Sequence, residues 1–312
     1  METKGRVLIT DKVDDLLIQG LLQLGYECDF RAFISQEEVD RIIHQFTGII
    51  ITTKTTLFKS TLENAIGLKW IARAGSGMEI VDVEFAKSKN IACINSPEGN
   101  RNSVGEHALA LLLALTHNIV RSSKQTEKLN WQVEENRVNE LEGMTIGIIG
   151  YGNTGSAFAE KLKMFGVSVL AYDKYKSGFG NEFVKECEMK DLFNQCEAVS
   201  LHVPLTDETF HLANWNFFQQ FKNNIYFINT SRGKVVETPC LLQAIKDNKV
   251  IGAGLDVLEN ENFSSLSSIE LVIIEALIQT NKTIFTPHVA GKSFYTRKKF
   301  AEVLLSKISS LE

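Results

Sequence analysis

Three side chains late in the sequence suit the chemistry of acids, and each follows an apolar, strand-like run. Arg232 lies in Asn229-Thr230-Ser231-Arg232-Gly233, Glu261 in Glu259-Asn260-Glu261, and His288 in Thr286-Pro287-His288-Val289-Ala290-Gly291. A guanidinium offers a carboxylate a fork of donors and polarises the adjacent carbonyl. An imidazolium can hand a proton to a developing alkoxide. A carboxylate beside the imidazole favours its protonated form and fixes its tautomer. The trio therefore suits reduction of a 2-oxo acid, with hydride drawn from a nicotinamide. Singly, each has an ordinary explanation as a surface charge, a hydrogen-bonded loop histidine or a polar turn. Their common place at three strand ends of one expected sheet favours the chemical reading.

A nicotinamide nucleotide needs its own cradle, and the run Thr145 to Gly155 supplies the pattern for one. It reads as a buried strand entering Gly150-Tyr151-Gly152-Asn153-Thr154-Gly155, followed by a helix from about Ser156 to Phe165. Gly150 permits the tight turn, Gly152 clears the approach of a pyrophosphate, and Gly155 lets the helix pack close to the sheet. The helix N-terminus then faces the phosphates. A second apolar run, Val167 to Tyr172, ends in Asp173. That carboxylate falls about twenty residues past the glycines, where it can accept hydrogen bonds from an adenosine ribose and repel a 2′-phosphate, so NAD is expected over NADP.

The elements that must position these groups alternate between strand and helix along the whole chain, which predicts α/β layers with parallel sheets. Strands are expected at Arg6 to Thr10, Gly48 to Thr52, Leu68 to Ala72 and Ile91 to Asn95, all ahead of the glycine turn. After it they are expected at Ala198 to Val203, Ile225 to Asn229, Gly252 to Leu255 and Thr283 to Phe285. Gly105 to Val120 reads as one long helix, apolar almost all round and hence buried between two surfaces. Arg121 to Glu140 is a polar arm carrying Trp131. A length of 312 residues makes two domains the expectation. A net charge of -5 argues against a nucleic-acid surface. Five scattered cysteines without a Cys-x-x-Cys pair indicate neither a metal site nor a disulfide framework, and a cytoplasmic setting is expected. Cys93 and Cys196 read as small buried hydrophobes. The longest strongly apolar run, Ala108 to Leu115, is too short to span a membrane.

With these stretches assembled, the chain resembles the D-isomer-specific 2-hydroxyacid dehydrogenases over nearly its full length. The matching segments are Arg73 to Gly77, Gly105 to Leu115, Gly147 to Gly155, Leu201-His202-Val203-Pro204-Leu205-Thr206, Asn229 to Gly233, Gly254-Leu255-Asp256-Val257 and Thr286 to Gly291. The resemblance implies a Rossmann NAD-binding domain (residues 99–288) inserted into a flavodoxin-like α/β substrate domain (1–98 and 289–312). It implies a homodimer built on a helix and arm near residues 100–142. It makes Arg232, Glu261 and His288 catalytic; Glu261, five positions past Asp256, is chosen over Glu259. Gly150, Gly152, Asn153, Thr154, Gly155, Asp173, His202, Pro204, Thr230 and Ser231 are implied to bind the cofactor, and Asp256 to hold the nicotinamide carboxamide. Backbone near Ser76 and Gly77, with Arg73 and Lys54, is implied to receive the substrate. His202 is not a proton donor in this family. His107 reads as structural, and the sequence suggests no partner for His44, His117 or His211.

Within the family, Ser96 to Asn102 and the arm with Trp131 most resemble phosphoglycerate dehydrogenases that lack a regulatory domain. That implies oxidation of 3-phosphoglycerate for serine biosynthesis. Three features depart from the pattern. Thr52-Thr53-Lys54 stands where Arg-Ser is usual, and Val133 stands where the arm commonly has an arginine, leaving Lys54 and Arg137 as the nearest replacements. Phe263 to Thr280 is also longer than usual and predicts an extra helix near Ile269 to Ile278. A glyoxylate or hydroxypyruvate reductase is the alternative substrate reading. An NAD-sensing, corepressor-like binding protein is the alternative of another class, disfavoured by the complete Arg-Glu-His set.

Overall fold

Five short runs in the first hundred residues become parallel strands: β1 (Arg6–Ile9), β2 (Glu27–Phe30), β3 (Gly48–Ile51), β4 (Trp70–Arg73) and β5 (Ala92–Asn95). The structure, a computed structural model, describes residues 3–311. The strand order is β2-β1-β3-β4-β5, the flavodoxin-like arrangement. Strand β3 is buried at all four positions, as a parallel strand covered on both faces must be. One of its two apolar layers includes the helix Thr296–Ser309, whose Ala301, Leu304 and Ile308 join Val7, Ile9 and Trp70. The chain accordingly divides into one unit of Met1–Arg101 with Lys292–Glu312, and a second of Asn102–Gly291.

The second unit holds seven parallel strands: β6 (Thr145–Ile149), β7 (Ser168–Tyr172), β8 (Val184–Glu186), β9 (Ala198–Leu201), β10 (Ile225–Asn229), β11 (Val250–Leu255) and β12 (Thr283–Phe285). Their order is β12-β11-β10-β9-β6-β7-β8, a doubly wound Rossmann sheet. The chain leaves β6 for β7 on one side and returns to β9 on the other. Between β6 and β9 lies the reversal at which ligands of such sheets bind. Leu111, Leu112, Ile148, Phe158 and Ile228 form the core on one side, and a set of phenylalanines including Phe217, Phe218, Phe221 and Phe227 forms the other.

Several elements depart from expectation. The long helix begins at Arg101 and stops at Thr116; Asn118 then adopts a left-handed φ of 51°, and a second helix, Ile119–Glu127, leaves at 58° to the first. Asparagine is among the few residues that tolerate that conformation. The helix after the glycine turn starts at Asn153, three residues earlier than expected. A helix at Asp15–Gln23, capped by the Asp14 side chain, and the strands β2 and β8 were not anticipated. The extra helix of the longer segment is present as Ser268–Gln279, opened by a capping box between Ser267 and Glu270.

Candidate functional site

The glycine turn separates two kinds of constraint. Gly150 has a φ of 92°, and a Cβ there would press on the His202 carbonyl; a Cβ at Gly155 would overlap the Gly150 carbonyl oxygen. Both are required by the protein's own packing. Gly152 is different, because a Cβ there would meet nothing within 4 Å. No neighbouring group in the fold explains the missing side chain, while a phosphate approaching the backbone does. The helix Asn153–Leu162 begins at Gly152 without a side-chain cap, which suits an anion at its N-terminus.

Asp173 lies just past β7 and beside this turn. Its carboxylate accepts hydrogen bonds from the backbone N–H groups of Tyr151 (2.8 Å), Tyr175 (3.0 Å) and Lys176 (3.0 Å). A carboxylate has about four acceptor positions, so a ribose hydroxyl still finds one. His202 bridges β9 and the turn, with Nε2 2.9 Å from Ser200 Oγ and Nδ1 3.3 Å from Thr154 Oγ1. Burial pushes its pKa down to about 3, so the ring is neutral near pH 7. Pro204 supplies a carbonyl to the Thr209 hydroxyl. Past β10, the hydroxyl of Thr230 is buried without a hydrogen-bond partner, which leaves it available to a bound molecule.

Asn229 shapes the next turn. Its side-chain oxygen accepts from the Ser231 N–H and hydroxyl, and its amide donates to the Arg232 carbonyl at 3.0 Å. The Arg232 guanidinium is half-buried and donates to the Ser231 carbonyl. A Cβ at Gly233 would overlap the Leu258 carbonyl, so this turn rests directly on the loop that follows β11. That loop carries Glu261, whose Oε2 lies 2.8 Å from His288 Nδ1. The structure thus brings the Arg232 turn, Glu261 and His288 to the carboxyl ends of β10, β11 and β12.

Asp256 organises the His288 segment. It is 1% exposed, and its carboxylate accepts from the Thr286 hydroxyl (2.6 Å) and the N–H groups of Val289 and Ala290 (2.9 Å each). Its carbonyl accepts from the His288 N–H at 2.8 Å. His107 completes the cluster, with Nε2 2.9 Å from Thr286 Oγ1. The sequence offered no signal for these two partners of Asp256, since they sit 149 residues upstream and 30 downstream of it. Asn229, by contrast, had a visible signal as an Asx residue closing a strand.

The other candidates lie in the first unit. Arg73 donates to the Thr52 carbonyl (3.1 Å), to the Gly77 carbonyl and to Glu79 (3.0 Å). Lys54 pairs with Asp11 at 3.3 Å, and Asp11 also accepts from the Thr52 hydroxyl. Ser76 donates to Asn100, and its carbonyl accepts from the Asn95 amide. In the second unit, Arg137 pairs with Glu134 at 2.8 Å. None of the five cysteines is in a disulfide; burial raises the Cys196 pKa to about 12 and the Cys187 pKa to about 11, so both thiols stay protonated.

Residues 109–290 match the family described as D-isomer specific 2-hydroxyacid dehydrogenase, NAD binding domain. The chain belongs to the D-isomer-specific 2-hydroxyacid dehydrogenase family. NAD is the cofactor of the nucleotide-binding unit, in keeping with the open face at Gly152 and the unpartnered Thr230 hydroxyl. The hydroxypyruvate reductase of Thermotoga maritima is 30% identical over 97% of this chain and 97% of its own length. The D-3-phosphoglycerate dehydrogenase of Archaeoglobus fulgidus is also 30% identical, over 92% of this chain but only 54% of its own; the chain spans about half the length of that relative. Among solved structures, the D-lactate dehydrogenase of Aquifex aeolicus complexed with NAD and lactic acid superposes with a TM-score of 0.82 at 27% identity, covering 98% of this chain and 95% of that one.

Proposed function

We propose that this 2-hydroxyacid dehydrogenase interconverts a D-2-hydroxy acid and its 2-oxo acid, with Arg232, Glu261 and His288 as the working side chains. The observation that carries the proposal is the 2.8 Å contact between Glu261 and His288 at the ends of adjacent strands, beside the Arg232 turn. Nicotinamide, when bound, supplies or accepts the hydride. His288 gives its proton from Nε2 to the alkoxide in reduction and takes it back in oxidation, while Glu261 holds Nδ1–H and stabilises the imidazolium. Arg232 anchors the substrate carboxylate and draws charge toward the neighbouring oxygen. In this reading Asp256 acts through the backbone that presents His288, in addition to any contact with the nicotinamide.

For the substrate, the sequence resemblance points to 3-phosphoglycerate. An unphosphorylated acid such as hydroxypyruvate or glyoxylate is the second reading, and one observation favours it. Each cation considered for the phosphate has a carboxylate partner: Asp11 for Lys54, Glu79 for Arg73 and Glu134 for Arg137. A dianionic phosphate gains most from cations whose charge is not already compensated. The test is NADH oxidation with 3-phosphohydroxypyruvate, hydroxypyruvate, glyoxylate and pyruvate, repeated for Arg232→Ala. A clear preference in kcat/KM for the phosphorylated acid supports the first reading, and the reverse preference supports the second. Absence of turnover with all four, with NAD still bound, overturns the enzymatic assignment in favour of a sensor. Full activity in Arg232→Ala would remove that residue from the mechanism.

A further inference from the structure

The helix Ser268–Gln279 borders, with the start of the helix Thr238–Lys246 and the loop after β11, a half-open cavity of about 250 Å³ on the nucleotide-binding unit, with Ile269 at its exposed rim. Nothing in the dehydrogenase chemistry uses it. Its walls are largely apolar, from Pro239, Leu258, Ile269 and Ile273. Three carboxylates, Glu237, Glu259 and Glu270, reach the same space, together with the imidazole of His211. The lining has no lysine or arginine among the described residues, so it is net negative whichever state the imidazole takes. Hydrogen bonds from the Ser267 hydroxyl and N–H keep the Glu270 carboxyl below the usual range and therefore ionised.

The polar end of the cavity is built rather than incidental. Glu259 accepts the Thr238 N–H at 2.7 Å and lies 2.8 Å from His211 Nε2. His211 is held in a left-handed conformation, φ 50°, with its ring stacked on Phe210 at 4.0 Å. Such a conformation costs on the order of 1 kcal/mol or more in a residue other than glycine and persists only where surroundings impose it. An apolar chamber with one anionic end complements a molecule with an apolar body and one cationic group. Size narrows the class further: an apolar cavity of about 150 Å³ admits benzene, so this one accommodates an arylalkyl or branched alkyl amine.

We propose that this cavity is a binding site for a small amphipathic amine, its ammonium on Glu259 and its neighbouring carboxylates and its apolar part against Ile269 and Ile273. The loop that forms one wall, Leu258 to Asn260, leads directly into Glu261. None of the glycine-turn residues, Asp173, His202 or Thr230 lines the cavity, so it is distinct from the NAD cradle. The proposal rests on the cavity and stands whether or not the substrate assignment does.

The test is calorimetric titration of the full chain with phenethylamine and isoamylamine, against 2-phenylethanol and 3-phenylpropionate as uncharged and anionic controls. Amines should bind about tenfold or more tightly than the alcohol, the scale of one charge-assisted hydrogen bond. Glu237→Gln with Glu259→Gln should remove that preference. Ile273→Trp should abolish binding by filling the chamber, and Ile269→Phe at its rim provides a milder version should the tryptophan compromise folding. NAD titration of each variant checks that the unit is intact. Amines that bind no better than the alcohol, a preference that survives the double glutamine variant, or binding that survives both filling substitutions would each overturn the proposal.

Discussion

His288 combines an unusual backbone with the most consequential side chain of the candidate site. Its φ of 53° is a left-handed conformation, and the structure shows what imposes it: the Asp256 carbonyl takes the His288 N–H, and the Asp256 carboxylate takes the next two. Replacing His288 with asparagine should keep NAD affinity while lowering kcat by about 100- to 10,000-fold, the range of general acid–base catalysis. The pH dependence of kcat/KM should also change, because the group that gives and takes the proton is gone. A variant with a wild-type pH–rate profile would show that another group moves the proton. His202 makes an opposite and independent prediction. Its folded pKa of about 3 lies below the ordinary 6.5, so the unfolded chain binds a proton that the folded chain does not as pH falls from 6.5 toward 3. Stability conferred by the neutral ring is complete above pH 6.5 and declines by about 1.4 kcal/mol per pH unit below it. Chemical denaturation at pH 7 and pH 5 should therefore show a fall of roughly 2 kcal/mol from this group that His202→Asn lacks. Equal pH slopes in the two proteins would contradict a buried neutral histidine.

The glycine turn shows how much of an element can be read before its packing is known. Gly150, Gly152 and Gly155 announce the turn and its division of labour, and the structure gives that division its physical cause: backbone stands where a Cβ of Gly150 or Gly155 would be, and nothing stands there at Gly152. Gly155→Ala forces a methyl group onto a backbone oxygen and should destabilise the unit by about 1–3 kcal/mol or more. Gly152→Ala meets no atom of the protein, so its melting temperature should be unchanged while NAD affinity drops. Loss of stability in both, or retained NAD affinity in Gly152→Ala, would refute that division. The same contrast between local and distant information runs through the fold. Strands such as β3 and β10 were legible because parallel strands buried on both faces are unbroken apolar runs. The edge strands β2, with Glu27 and Asp29, and β8, only Val184–Glu186, lack that signature because an edge strand faces water. The break at Asn118 was hidden by apolar residues on both sides of it. At the site, Arg232, Glu261 and His288 were visible as side chains after strands. The anchoring of Asp256 by Thr286 and His107, the pairing of Glu259 with His211, and the acids beside Lys54 and Arg73 arise between distant segments and have no local pattern.

For the molecule as a whole, the segment after Asn118 sets the question of assembly. The helix Ile119–Glu127 has no buried residue, and Leu129 and Trp131 beyond it are 95% and 78% exposed. A helix of nine residues is too short to persist in water on its own propensity, because nucleation is costly and stability comes from packing an apolar face. Exposed large apolar groups clustered on one segment mark an interaction surface. The sequence resemblance implies a second copy of the chain as the occupant, an expectation that the state of assembly tests. The 34.9 kDa chain should therefore sediment as a dimer at micromolar concentration. Leu129→Asp with Trp131→Asp should shift it toward monomer and lower helical content, since the segment loses the contact that orders it. Each unit has its own parallel sheet and core, so NAD binding should survive that substitution even as the assembly comes apart. A wild-type monomer, or a dimer indifferent to both aspartates, would assign this segment another partner.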